Sequence, residues 1–188
     1  RLVETELAVT GPKGRFALDT NDTRDLVFVA SGTGLAPFIS MVRKLREDYQ
    51  ADPDSFHPRR VYVVHGVSLS SHLGYRDELE RLAVEAMQNP NQRLSVLYLP
   101  TISRPHMDPS WQGLKGRAET LLEPCVPSDF TPSDPQHIVK SMLSAALRPE
   151  THVVYVCGHP GTIDGIVHLL SSRGFKPDID LKREKYYP

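Results

Sequence analysis

The sequence predicts an α/β fold in which a doubly wound parallel sheet is covered by helices on both faces. Short apolar stretches such as residues 25–30 alternate along the chain with longer stretches of helical spacing such as residues 36–49. Near-continuous apolar strands are typical of parallel sheets, because both faces of such sheets are buried. Strands that alternate with helices favour βαβ units. We expect a five-stranded sheet.

The predicted elements follow one another in regular alternation. Strands are expected at residues 25–30, 60–67, 94–99 and 152–156, and residues 179–187 form either a final short strand or an extended tail. Helices are expected at residues 36–49, 75–87, 134–147 and 163–172. Asp134 and Pro135 have the chemistry of a helix cap followed by a first-turn proline. Residues 100–133 contain no long element, and a loop of that length in a compact domain is usually functional. Trp111 is expected to pack this loop against the domain.

The first part of the chain has a different character. Residues 3–9 alternate apolar and polar side chains, as a half-buried strand does, and Phe16 and Leu18 resume the alternation after a turn at Gly11–Gly14. We therefore expect residues 1–22 to be the last strands of a preceding β domain, and residues 23–188 to be the α/β domain. The chain begins with Arg1 inside a predicted strand, so we expect it to be a piece of a longer polypeptide.

The stretch that follows the first strand has the composition of a phosphate-binding loop. Ser31-Gly32-Thr33-Gly34 lies between the strand and a helix that Ala36 and Pro37 open. Glycines let the backbone approach a phosphate closely, and a helix that begins there directs free N–H groups and its positive dipole end at the anion. The three-glycine dinucleotide fingerprint is incomplete. The loop taken alone is also consistent with a tight turn that needs glycine only for its geometry.

The ends of the other predicted strands complete a candidate site. Ligands of such sheets bind beyond the carboxyl ends of the strands, at the point where the strand order reverses. Small or polar residues occupy those ends, namely His65-Gly66-Val67, Ser103-Arg104 and Cys157-Gly158-His159. We predict that they line one site together with the phosphate-binding loop.

Charge and composition argue against several kinds of partner. The formal net charge of -1 gives no footprint for nucleic acid or an acidic membrane, and no apolar stretch is long enough to span a bilayer. Cys125 and Cys157 are far apart and give neither a zinc spacing nor a disulfide framework. No metal site is predicted, and we expect a cytoplasmic protein. Six histidines without metal-ligand spacing are expected to be solvent-exposed: His57, His72, His106, His137, His152 and His168.

Four segments, in order, resemble the NADP-binding half of the ferredoxin–NADP reductase family. Ser31–Pro37 resembles the pyrophosphate motif of that family, and Ser103-Arg104 with Gly116-Arg117 is similar to the segment that holds the adenosine 2′-phosphate. Tyr155–Pro160 resembles the Cys-Gly-x-Pro signature beside the nicotinamide, and Glu184–Tyr187 resembles the aromatic C-terminus that stacks on the flavin. Gly11–Phe16 is similar to the end of the flavin-binding barrel. The resemblance spans almost the whole chain.

The resemblance implies a role for each of these positions. The thiol of Cys157 would pack near nicotinamide C4, and Tyr187 or Tyr186 would cover the flavin, which makes Cys157 and Tyr187 the candidate catalytic residues. The implied cofactor-binding residues are Ser31, Gly32, Thr33, Gly34, Ala36, Pro37, His65, Gly66, Ser103, Arg104, Arg117, Gly158, His159 and Pro160. Among them, a hydroxyl and a guanidinium fork suit a phosphate monoester, which favours NADP over NAD.

The resemblance further implies an NADP(H)-binding domain of a flavin oxidoreductase. In the whole enzyme, hydride would pass to FAD and electrons would leave to a ferredoxin or flavodoxin-like carrier. The FAD-binding barrel is missing from this chain, so the chain alone is expected to bind nucleotide without turnover. Two alternatives stay open. One is the NADH-dependent reductase component of an oxygenase system, since Pro109–Gly113 resembles loops of NAD-preferring relatives, and the other is a non-catalytic nucleotide-binding domain.

Overall fold

The strands of the fold run parallel in one sheet, with two helices on each face. The computed structural model describes residues 16–124, 131 and 133–185. The strands are β1 (Asp25–Ser31), β2 (Arg59–Val67), β3 (Leu94–Ile102), β4 (Leu114–Lys115), β5 (His152–Gly158) and β6 (Leu181–Lys185). The helices are α1 (Ala36–Ala51), α2 (Arg76–Gln88), α3 (Pro135–Ala146) and α4 (Pro160–Ser171). Within the described residues, no helix combines the length and apolar character needed to cross a bilayer.

The strand order places the switch point between β1 and β5. The order across the sheet is β4-β3-β2-β1-β5-β6, and β1 pairs in parallel with β2 on one side and with β5 on the other. The predicted doubly wound parallel fold is confirmed. The sheet has one strand more than predicted, because the two residues of β4 are too few to give a pattern in the long loop.

The core consists of two clusters, one on each face of the sheet. Leu26 and Phe28 of β1 enter the cluster beneath α1 and α2, whereas Val27 and Val29 enter the cluster beneath α3 and α4. This is why β1 is a continuous apolar run. In the first cluster, the Phe28 and Phe38 rings stack with centroids 4.8 Å apart.

The N-terminal part of the described chain crosses the α1 side of the sheet without forming a strand. Phe16 and Leu18 pack against the first core cluster, and the Asp19 N–H donates to the Tyr155 hydroxyl at 3.2 Å. Among the described residues, Phe16 and Leu18 lie in no strand and join none of the strands of the sheet. We call residues 16–20 the entry segment. The strand predicted at residues 3–9 and the turn at Gly11–Gly14 lie outside the described residues.

His152 differs from its prediction as well. It opens β5 and is buried, with its ring 5.9 Å from the ring of Tyr62, so it is not solvent-exposed. Desolvation lowers the pKa of its imidazole. The position is explained by the sheet pairing of His152 with Asp25, which encloses the first residue of the strand.

Arg24 connects the start of β1 with the loops that precede β5 and β6 through hydrogen bonds. Its guanidinium donates to Asp180 Oδ1 at 2.7 Å, to Asp22 Oδ2 at 2.6 Å and to the carbonyl of Pro149 at 2.5 Å. The Asp22 and Asp180 side chains are only 12% and 10% exposed. The hydrogen bond from Arg24 is the main reason why the pKa of Asp22 lies below its usual value.

We predict that Arg24→Met lowers the free energy of unfolding at pH 7 by about 3 kcal/mol, because it leaves two nearly buried carboxylates without their cation. The matched control is Lys44→Met, which removes the partner of Asp48 from an exposed i,i+4 pair and should cost less than about 0.5 kcal/mol. Urea denaturation of both variants measures the difference. Equal effects would show that Arg24 is no more than a surface residue.

Candidate functional site

A cleft of about 470 Å³ opens at the switch point, beyond the carboxyl ends of the strands. The ends of β1, β2, β3 and β5 contribute to it, together with the turn after β4. Its lining residues are Ser31, Gly32, Thr33, Gly66, Val67, Ser68, His72, Ser103, Arg104, Arg117, Ala118, Gly158, His159 and Thr162. The structure therefore brings together residues from each of the four segments that were predicted to form the site.

The loop after β1 leads directly into α1. Residues Gly32–Leu35 form a 3₁₀ turn, and α1 begins at Ala36 with Pro37 in its first turn. Neither the turn nor the helix is capped by a side chain. First-turn N–H groups have no partner within their helix and are therefore suited to an anion. Gly32 has φ +57 and open space where a Cβ would lie, so its glycine serves the backbone conformation.

The ends of β1 and β5 touch backbone to backbone. A Cβ on Gly34 would lie 2.2 Å from the carbonyl oxygen of Cys157, and a Cβ on Gly158 would lie 2.3 Å from Ser31 Oγ. The Ser31 hydroxyl accepts the N–H of His159 at 2.7 Å. Gly34 is buried and does not line the cleft, so at this position geometry alone accounts for the glycine.

His65 lies beneath the cleft, where it supports the phosphate-loop backbone. Its Nε2 is 3.2 Å from the carbonyl oxygen of Gly32, and its Nδ1 is 3.3 Å from the Tyr98 hydroxyl. A carbonyl oxygen only accepts, so Nε2 carries the proton and Nδ1 accepts from Tyr98. Desolvation lowers the pKa of His65 to about 4, and the bond to Gly32 opposes that shift. The imidazole is thus neutral at physiological pH and acts as a spacer.

Ser103, Arg104 and Arg117 lie together at the far end of the cleft. The Ser103 and Arg104 N–H groups donate to the carbonyls of Val67 and Ser68 at 2.8 and 3.1 Å, which ties the end of β3 to the end of β2. The Gly116 N–H donates to the carbonyl of Ile102 at 2.8 Å, and this places Arg117 beside them. Arg104 is exposed, and the Arg117 side chain is 68% exposed.

Trp111 packs the long loop against this end of the cleft, as predicted. It forms a small buried cluster with Val67, Leu73 and Ile102, and its indole N–H donates to the carbonyl of Leu114 at 2.8 Å. The two arginine-bearing segments are therefore held by the body of the domain.

The end of β5 opens the cleft on its other side. His159 caps α4, since its Nδ1 accepts the N–H of Gly161 at 3.0 Å. Pro160 begins the helix behind His159 and does not line the cleft. Thr162 lines the cleft although it is buried.

Several predicted residues take other positions. Cys157 is fully buried in β5, directly under the contact with Gly34. Ala36 and Pro37 begin α1 outside the cleft, and Pro37 borders a different cavity. Tyr187 and Tyr186 lie outside the described residues. The ligand contacts assigned to these residues stay predictions.

Four lining residues were absent from the predicted residues, namely Ser68, His72, Ala118 and Thr162. Ser68 follows the end of β2 and could have been found by the strand-end rule. His72 lies in a 3₁₀ turn beside the cleft. Ala118 packs directly against Gly66, since a Cβ on Gly66 would lie only 2.9 Å from the Ala118 nitrogen. No sequence pattern reports either contact. Among the described residues, no group of three or more His, Cys, Asp or Glu side chains could hold a metal.

Comparison with known proteins identifies this architecture. Residues 28–168 match the model of the family described as the oxidoreductase NAD-binding domain. The phenol hydroxylase P5 protein of Acinetobacter pittii is 27% identical over 95% of this chain and 41% of its own length. Ferredoxin–NADP reductase B of Sorangium cellulosum is 28% identical over 87% of this chain and 53% of its own length. The chain thus spans about half the length of these relatives or less.

Solved structures share the fold. A ferredoxin–NADP reductase from Neisseria gonorrhoeae, with bound FAD and NADP, superposes with a TM-score of 0.58 at 22% sequence identity. The match covers 87% of this chain and 56% of the reductase chain. A cytochrome P450 reductase from Amycolatopsis superposes with a TM-score of 0.61 at 21% sequence identity, and the match covers 100% of this chain and 47% of the reductase chain. The sequence-based resemblance to the NAD(P)-binding domain of ferredoxin–NADP reductase-like flavoenzymes is confirmed.

The buried His65 predicts an acid-sensitive fold. Unfolded histidine titrates near pH 6.5 and folded His65 near 4, so the unfolded chain binds more protons in between and stability falls as the pH drops from 6.5 to 4. The loss should reach about 3 kcal/mol. His65→Gln should reduce this loss, and urea denaturation at pH 7 and pH 4.5 measures it. A residual slope from His152 is expected; an undiminished slope would contradict the assignment.

The contact between Gly34 and β5 predicts a sharp difference among glycines. Gly34→Ala should lower the free energy of unfolding by about 2 kcal/mol or more, because its Cβ would overlap the Cys157 carbonyl. Gly32→Ala should cost about 1 kcal/mol for its left-handed backbone alone. Gly74, which has open space around it and no positive φ, is the control, and Gly74→Ala should be nearly neutral. Denaturant titration ranks the three, and similar values for Gly34→Ala and Gly74→Ala would disprove the contact.

Proposed function

We propose that this chain, which belongs to the oxidoreductase NAD-binding domain family, binds NADP(H) and presents its nicotinamide to a flavin. The carrying observation is the layout of the cleft, which crosses the ends of four strands with a phosphate-type loop in the middle and cations at one end. A phosphorylated dinucleotide has its charged groups distributed in the same way.

The dimensions of the sheet support this placement. Neighbouring strands lie about 4.8 Å apart, so the loop after β1 and the segment after β3 are separated by roughly 10 Å, and the end of β5 lies one strand spacing beyond the loop. A pyrophosphate at the turn Gly32–Leu35 would leave the adenosine side over β2 and β3, where Ser103, Arg104 and Arg117 lie. The nicotinamide side would lie at β5.

The residues present fit each part of such a ligand. The N–H groups at the start of the 3₁₀ turn Gly32–Leu35, which no side chain caps, bind the pyrophosphate, and exposed Gly32 allows close approach. Arg104 and Arg117 bind the 2′-phosphate, for which a guanidinium fork is well shaped. Gly158 and His159 receive the nicotinamide, which supplies the hydride when the nucleotide is bound. Buried Cys157 forms the floor there and fixes the distance between β5 and the loop.

The rest of the active site belongs to a longer protein. Residues 1–22 are proposed to end a flavin-binding barrel and residues 23–188 to form the NADP-binding domain, consistent with relatives that are about twice as long as this chain. Hydride would pass to FAD in the preceding domain, and electrons would then leave to a ferredoxin or flavodoxin-like carrier. Tyr187 would cover the flavin. The 188-residue chain alone would bind nucleotide but not turn over.

An NADH-dependent reductase component of an oxygenase is the second candidate. It is favoured by two relatives at 27% identity that cover more than 90% of this chain, the phenol hydroxylase P5 protein and the reductase component of a phenol 2-monooxygenase from a Pseudomonas species. The two candidates differ in the use of the cationic end of the cleft, because only NADP(H) carries the 2′-phosphate.

Arg104→Ala should weaken NADPH binding by about 1.5–3 kcal/mol, the range of a charge-assisted hydrogen bond, and should hardly change NADH binding. Calorimetric titration of the 188-residue chain with both nucleotides measures this. Arg81→Ala on the exposed face of α2 is the matched control and should change neither affinity. An equal loss for both nucleotides would refute the 2′-phosphate assignment, and tighter binding of NADH than NADPH by the wild type would favour the second candidate.

A further inference from the structure

Two loops from different parts of the chain meet at the cationic end of the cleft, where Arg104 and Arg117 lie. Arg104 follows β3, and its N–H donates to the carbonyl of Ser68, in the loop between β2 and α2, at 3.1 Å. Ser68 and His72 of that loop also line the cleft. Because a guanidinium binds a phosphate through hydrogen bonds of fixed geometry, the position of one loop relative to the other matters for recognition at this end.

A second hydrogen bond joins the same two loops, and it comes from a side chain outside the cleft. Asp108 Oδ2 accepts the N–H of Ser70 at 2.9 Å, and Asp108 Oδ1 accepts the Ser110 hydroxyl at 2.9 Å. Within the described ranges, Asp108 is the one side chain after β3 that hydrogen-bonds the loop between β2 and α2. Asp108 does not line the cleft, so its effect on a ligand has to pass through other residues.

The hydrogen bond to Ser70 completes the turn that carries His72. Ser70–His72 is a 3₁₀ turn, and the side chain of the residue before it does not cap it. The first N–H groups of a helical turn have no partner within the turn, and here Asp108 supplies the acceptor from the other loop. Leu73, directly after the turn, is buried against Trp111. The turn is therefore held at both of its ends.

A short and well-ordered connection links Asp108 to Arg104. Pro105–Met107 form a 3₁₀ turn between them. The Met107 N–H donates to the carbonyl of Arg104 at 3.0 Å, and the Asp108 N–H donates to the carbonyl of Pro105 at 3.1 Å. This turn leaves the carboxylate little freedom relative to Arg104. The contact with Ser70 thus fixes the backbone of Arg104 against the other loop.

The charge of Asp108 separates a positioning role from an electrostatic one. The hydrogen bonds from Ser70 and Ser110 hold the pKa of the Asp108 carboxyl below its usual value, so the group is ionised at neutral pH. A negative charge near this end of the cleft opposes the binding of a phosphate. By its charge alone, Asp108 would therefore weaken binding of NADP(H). By holding the two loops together it would strengthen that binding, so the two roles predict opposite signs.

We propose that Asp108 is a positioning residue for the discrimination between NADP(H) and NAD(H), because it holds the two loops in the arrangement in which Arg104 meets the 2′-phosphate. This inference rests on the proposed function of the cleft. The pyrophosphate and the nicotinamide, which both nucleotides share, are assigned to the ends of β1 and β5, and Asp108 hydrogen-bonds neither of them. Their binding is therefore independent of Asp108.

Calorimetric titration of the 188-residue chain with NADPH and with NADH tests the proposal. Asp108→Ala should weaken NADPH binding about fivefold and change NADH binding less than about twofold. Asp108→Asn, whose amide oxygen can still accept the Ser70 N–H, should bind NADPH within about twofold of the wild type. Asp54→Ala, at an exposed position between α1 and β2, is the control for the lost charge and should change neither affinity.

Ser70→Pro breaks the same hydrogen bond from the donor side and leaves the charge of Asp108 in place. Proline suits the first position of a helical turn, and Leu69 already has the extended backbone (φ -133, ψ 154) that precedes proline readily. Ser70→Pro should weaken NADPH binding as Asp108→Ala does. Ser70→Ala keeps the N–H and should bind both nucleotides as the wild type does.

Several outcomes would overturn the proposal. Unchanged or tighter NADPH binding by Asp108→Ala would show that the carboxylate does not position the loops. Equal losses for NADPH and NADH in Asp108→Ala and Ser70→Pro would show that the hydrogen bond serves the fold as a whole. A loss in Asp108→Asn as large as in Asp108→Ala would assign the effect to the charge. Failure of the proposed function is distinguishable, since the wild type would then bind NADPH no more tightly than NADH, and this would overturn both proposals.

Discussion

The contact between the ends of β1 and β5 is the constraint on which the rest of the structure depends. At Gly34 and Gly158 the two chain segments approach so closely that no side chain fits between them. That approach brings the start of α1 and the start of α4 to the same point on the sheet. The switch point of a doubly wound sheet is usually an open crevice, and here its floor is made of backbone.

Most of the fold could be predicted from the sequence because its central strands β1, β2 and β5 are buried on both faces. The alternation of Leu26 and Phe28 with Val27 and Val29 between the two core clusters is what produces a continuous apolar run. Two features were not predicted from the sequence, for opposite reasons. β4 is too short to leave a pattern, and the entry segment shows the alternation of a strand although it only packs Phe16 and Leu18 against the helix side of the sheet.

The residues at strand ends that line the candidate site could be predicted from the sequence. Residues that support the site through contacts with distant residues were harder to predict. Ser103 was predicted from its position after a strand, and Arg117 from the resemblance of Gly116-Arg117 to a family segment, and both are local features of the sequence. The roles of His65 and Gly34 depend on partners far away in sequence, namely Tyr98 and Cys157, and no local pattern reports such distances.

One half of the cleft is formed by backbone and the other half carries arginines, so ionic strength should affect ligand binding to the two halves differently. The phosphate-loop half contains no formal charge, since Ser31, Gly32, Thr33 and neutral His65 surround it, whereas Arg104 and Arg117 stand in solvent. Mobile ions screen exposed charges over roughly 8 Å at physiological ionic strength, but they weaken contacts to backbone N–H groups far less. Under the proposed assignment, the discrimination between NADP(H) and NAD(H) would decrease as ionic strength rises. Binding of the pyrophosphate, which both nucleotides share, would persist.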